Sequence, residues 1–191
     1  MKIDTTTRAI RSRSAKGQAM TEFLMMGAVA MIILFVAIQM AALGREASAL
    51  GQLNYQVTRW ATDPGNNNIA GSNSPQCTDV ANLISGATVA PYSNVIAVAT
   101  GYMGKIGYGS GHTVCGNPPA GGLGVAMTCV AAAGGGATSC AVQRPAGTGV
   151  QITLTMDTRS VIFLSTSTAN PNFFGIPFPK TLSSTQTMLT Q

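Results

Sequence analysis

The chain has 191 residues, a formal net charge of +5 and 9% charged residues, which suits one membrane-length segment plus one modest domain with its own core and leaves no room for a second globular domain. The charge is not spread evenly: residues 1–17 hold Lys2, Arg8, Arg11, Arg13 and Lys16 against a single acid, Asp4, and the remainder is almost neutral. Phosphate binding depends on clustered Lys and Arg, so this distribution argues against nucleic acid as a partner of the folded part.

Hydrophobic residues make up 46% of the chain and the mean hydropathy is +0.26. Much of this comes from Phe23 to Leu43, where Gln39 is the one interruption. A run of about 21 residues spans about 31 Å as a helix, close to the hydrocarbon thickness of a bilayer. Five basic residues precede it and only Arg45 and Glu46 follow closely. The positive-inside rule then predicts a single pass through a membrane, with the N-terminus cytoplasmic and everything after about residue 45 exported.

Beyond Leu43 the apolar residues Leu50, Leu53, Val57 and Trp60 recur at intervals of three and four, a helical stripe. Gly44 and Gly51 weaken the pattern, but no proline occurs before Asp63-Pro64-Gly65. One helix is therefore predicted from about residue 19 to 62, roughly 65 Å long. Residues 23–43 form its transmembrane part and 44–62 an amphipathic stalk whose stripe needs a partner. Residues 63–75, rich in Asn, Gly and Ser, read as a linker to a head at 76–191.

In the head, Val95 to Ala99 is a short apolar run, and Val150, Ile152, Leu154 and Met156 alternate with polar residues as a strand does. Asp157-Thr158-Arg159 suits a hairpin turn into a second strand at 160–165, and further strands are expected at 125–130 and 182–189. Glycine-rich loops fill much of 101–149. Cys77, Cys115, Cys129 and Cys140 all lie on the exported side, where oxidation is permitted. Two disulfides are the simplest reading, with three pairings open. The fold class is α+β: a long N-terminal helix, then a small, mainly antiparallel β head with long, Gly-rich, disulfide-stapled loops.

The boundary between charge and apolar run reads Lys16-Gly17-Gln18-Ala19-Met20-Thr21-Glu22-Phe23. An acid at the edge of a membrane helix is costly and calls for a cation. A cut after Gly17 would create one, because the new amine on Gln18 lies one helical turn from Glu22, within one chain or between neighbours. This junction resembles the processing site of type IV prepilins, in which a basic leader ends in Gly and an acid stands fifth in the mature chain. With Gln18 rather than Phe in the first mature place, it is most similar to TadE-like pseudopilins, the minor pilins of tight-adherence pili. The helix tail from Gly44-Arg45-Glu46-Ala47 to Arg59-Trp60-Ala61 resembles them too, so the likeness covers residues 8–62 well and the head weakly.

The resemblance implies that residues 1–17 are a cytoplasmic leader removed by a prepilin peptidase between Gly17 and Gln18, with methylation of the new amine left open. It also implies that Glu22 and Phe23 serve assembly with other pilin and pseudopilin subunits on the inner-membrane pilus assembly platform, for surface adhesion. Major pilins of such systems are far shorter, so the size of this head points to a minor or tip subunit.

Other readings compete. The N-terminus has the basic and apolar regions of a signal peptide or uncleaved anchor, although its apolar run is too long for the former. That alternative makes the chain an anchored or secreted binding module, adhesin-like and outside any filament. Tyr92, Tyr102, Tyr108, Phe173, Phe174 and Phe178 could supply an adhesive surface, but core packing suits most of them better. Catalysis would need Ser110 and His112 with Asp79 or Asp157, and the sequence around Ser110 lacks a nucleophile elbow. The chain is read as a non-enzyme. His112 near Cys115 lacks the paired ligands of a zinc site, and no cofactor is implied.

Overall fold

With no proline before Pro64, the N-terminal third of the chain forms one helix, α1 (Thr5–Thr62). The computed structural model describes residues 5–63, 74–85, 113–130, 137–138, 140, 144–158, 172–173 and 176–191, which belong to two compact units, Met1–Ala41 and Ala42–Gln191. The C-terminal end of α1 falls where the sequence pattern places it. Its start is earlier than about residue 19, because residues 5–16 contain neither Gly nor Pro and extending a formed helix costs little per residue.

The described residues of the first unit are all helical. Between Gly17 and Thr62, α1 contains a window of mean hydropathy 2.5 of which 6% is buried, so it is long and apolar enough to cross a membrane.

In the second unit, α1 turns its stripe inward. Leu50, Leu53, Val57, Trp60 and Ala61 enter the core beside a second helix, α2 (Cys77–Ile84), whose Val80, Ala81, Leu83 and Ile84 are buried. The sequence pattern did not announce α2, which spans only eight residues. Asp79 steadies its start, accepting the backbone N–H of Gln76 at 2.8 Å.

Both helices share this core with one face of a sheet. Its strands are β1 (Thr113–Cys115), β2 (Leu123–Val130), β4 (Gly149–Asp157) and β7 (Thr181–Leu189), in the order β1-β2-β4-β7, with β3 (Ala137–Thr138) pairing β2. A separate ribbon joins β5 (Asn172–Phe173) to β6 (Ile176–Pro177). Alternation works as predicted along β4: Val150, Ile152, Leu154 and Met156 are fully buried, and Gln151, Thr153 and Thr155 face outward, partly exposed. On that outer face, the hydroxyls of Thr153 and Thr185 meet across β4 and β7 at 2.9 Å.

Three expectations need correction or placement. The sheet is mainly antiparallel, as expected, with one parallel pair the sequence did not announce, β1 beside β2. The hairpin expected after Asp157 is not the pairing found: β2 and β7 occupy both edges of β4. Instead, Thr158 donates its N–H to the carbonyl of Lys180 at 3.0 Å, holding the chain beside the start of β7. The runs at 95–99 and 160–165 lie outside the described residues.

The four cysteines form Cys77–Cys115 and Cys129–Cys140, the first tying the start of α2 to the end of β1 and the second closing β2 onto the following segment. The chain leaves β1 through Gly116 at φ 105, where a side chain would be strained, and crosses the face of Gly124. A Cβ on Gly124 would lie 2.6 Å from the backbone nitrogen of Pro118.

Two stability outcomes are expected for the full chain in detergent, measured by chemical denaturation. Gly124→Ala should cost about 1–3 kcal/mol through overpacking against backbone. Replacing the pair Cys77 and Cys115 by Ala should cost about 1 kcal/mol more than replacing Cys129 and Cys140, because the sequence separations bridged are 38 and 11 and loop-closure entropy grows with loop length.

Candidate functional site: the N-terminal segment of the long helix

Gly17, Gln18, Glu22 and Phe23 lie on consecutive turns of α1 and all are exposed. Helical spacing brings two side chains onto their neighbours one turn away. The Gln18 amide Nε2 donates to Glu22 Oε1 at 3.2 Å, and the Thr21 hydroxyl donates to the carbonyl of Gly17 at 3.0 Å. The residue predicted to carry a new amine and the acid predicted to meet it are thus already in contact through the Gln18 side chain. A Cβ placed on Gly17 would have nothing within 4 Å, so close packing by this chain does not explain a glycine there.

Just beyond, the helix presents large apolar groups to its surroundings, with Phe23 at 76% and Met26 at 74% exposure. Phe23, Gly27, Ala30, Leu34, Ala37 and Ala41 follow one another at alternating intervals of four and three. That spacing draws a seam along one face, and its small members let another helix approach closely. The four-three spacing of this seam is visible in the sequence itself.

Outside the membrane-length segment, Glu46 stands out. Its Oε2 is buried without a hydrogen-bond partner among the described residues. Burial pushes its carboxyl above the ordinary value of 4.5, and neighbouring Arg45 works in the opposite direction. An acid with a raised folded-state pKa binds its proton more tightly folded than unfolded, so stability falls as pH rises from about 4.5 through the raised value.

The other candidates are distributed differently. Ser110 and His112 lie outside the described residues, as do Tyr92, Tyr102, Tyr108 and Phe174. Asp79 is engaged in capping α2, and Asp157 is buried at the end of β4. Phe173 sits in β5, and Phe178 is buried. Among the described residues, no group of three or more His, Cys, Asp or Glu converges to hold a metal ion. A groove of about 890 Å³ runs along the second unit, lined by Tyr55, Arg59, Met188, Leu189 and neighbouring residues.

Glu46→Gln should raise the stability of the full chain at neutral pH and leave it unchanged below about pH 4.5; denaturation midpoints measured across that range check the sign. Comparisons of the chain with protein-family models, with curated proteins and with solved structures found no match.

Proposed function

We propose that the chain is a minor pilin or pseudopilin subunit, cut after Gly17 by a prepilin peptidase, that takes part in assembling or priming a tight-adherence type IV pilus used for surface adhesion. One observation carries this reading: Gly17 and Glu22 occupy adjoining turns at the junction between a basic segment and an exposed apolar helix. A simple anchor needs no acid at that junction, whereas a subunit that leaves lipid for a helical bundle gains a register-setting ion pair.

In this mechanism, cleavage leaves an amine on Gln18, and that amine pairs with Glu22 of its own chain or of a neighbour. Helices then pass sideways from lipid into the bundle, exchanging lipid contacts for dispersion contacts along the seam of Gly27, Ala30, Ala37 and Ala41. Other pilin and pseudopilin subunits and the inner-membrane assembly platform are the partners. The head, stapled by two disulfides and sharing one unit and one core with the C-terminal part of α1, is the part carried outward. A second reading, an anchored binding module, draws on the groove beside Tyr55 and Arg59.

The test is the intact mass of the membrane-extracted protein, with and without a co-expressed prepilin peptidase. A peptidase-dependent start at Gln18 is expected, and Glu22→Ala should still be cut yet be lost from sheared filaments. A start at Met1 under both conditions would overturn the proposal in favour of the binding module.

A further inference from the structure

The peptide bond between Gly17 and Gln18 lies inside α1. In an α-helix the carbonyl of residue 17 accepts the backbone N–H of residue 21. Here the same oxygen also accepts the Thr21 hydroxyl at 3.0 Å. One residue therefore supplies both donors to the carbonyl that a peptidase must reach.

Peptide recognition in a cleft commonly uses extended backbone, whose main-chain groups pair with the host. A bond held in a helix meets that requirement only after the local turn opens, and opening separates Thr21 from Gly17. The sequence has a weak point there, since glycine lowers helix stability by about 1 kcal/mol relative to alanine. The Thr21 hydroxyl adds a side-chain tie across that turn.

We propose that Thr21 is a positioning residue that latches the cleavage site closed, so that its hydroxyl sets the rate at which the Gly17–Gln18 bond becomes available. The inference rests on the processing reading above. In the step itself, water adds to the Gly17 carbonyl carbon and the C–N bond breaks. Gly17 leaves as a carboxylate, and Gln18 keeps the nitrogen as a protonated amine. Thr21 takes no part in the bond changes and acts before them, on the folded turn.

A hydroxyl on a carbonyl can instead polarise it and hasten attack, which gives the opposite sign. That role needs the 3.0 Å contact to survive while the bond is in the cleft, and an extended backbone carries residues four apart well beyond hydrogen-bond reach.

The experiment follows processing of the full-length chain in membranes by pulse-chase and intact mass, with prepilin peptidase at limiting level, for wild type, Thr21→Val and Thr21→Ser. Valine keeps the branched shape and a similar helix propensity but removes the hydroxyl. Thr21→Val should be cut about two- to tenfold faster, the effect of one typical net hydrogen bond, and Thr21→Ser should return to the wild-type rate. A Thr21→Val rate equal to or below wild type, or a Thr21→Ser rate as high as that of Thr21→Val, overturns the latch while leaving processing intact. Wild type that stays uncut at Gly17 overturns both.

Discussion

The stripe Leu50, Leu53, Val57 and Trp60 on α1, buried against the inner face of the sheet, is the packing on which the second unit depends. Without it the core that holds the buried side chains of β2 and β4 would lose one of its apolar walls. Asn54 lies in the middle of this stripe and is itself fully buried. Its amide donates to the carbonyl of Ile152 at 3.1 Å and to that of Ser184 at 2.7 Å, so a polar group that would be costly inside a core instead joins the helix to two strands. Asn54 Oδ1 and the Asn54 carbonyl both face the Thr58 hydroxyl, which completes a small polar line within an apolar contact.

The two parts of α1 satisfy different surroundings with one secondary structure. Its N-terminal part carries large apolar groups that remain exposed in the isolated chain, and a helix is the arrangement that satisfies every backbone group without help from water. Its C-terminal part narrows to a single apolar face, the pattern of a helix that has a protein partner on one side. In the proposed function the first surface is provisional, covered by lipid before assembly and by other helices afterwards. The contacts at its edge, Gln18 with Glu22 and Thr21 with Gly17, belong in that proposal to the turn that processing has to open.

Much of this was legible before any coordinates, for reasons visible in particular residues. Periodicity is a local property, so α1 as far as Thr62 and the alternation of β4 could be read from spacing alone, and the strands expected at 125–130 and 182–189 fall within β2 and β7. The candidate site was legible because it depends on residues five apart along one helix. The parts that were missed have little local signal: α2 is eight residues, β1 three, and β3, β5 and β6 two each.

Spacing along the chain by itself determined that an apolar helix of membrane length precedes a β-rich, cysteine-containing head, and that an acid stands one turn past Gln18. Only the tertiary structure decided which cysteines pair, that β1 lies parallel to β2, and that β7 rather than the run after Asp157 occupies the free edge of β4. Those outcomes turn on contacts between segments far apart in the chain, such as Thr158 with Lys180 and Arg144 with the carbonyl of Pro75. Short-range spacing carries no information about which of several compatible strands will meet, because that choice is made by the core they jointly bury.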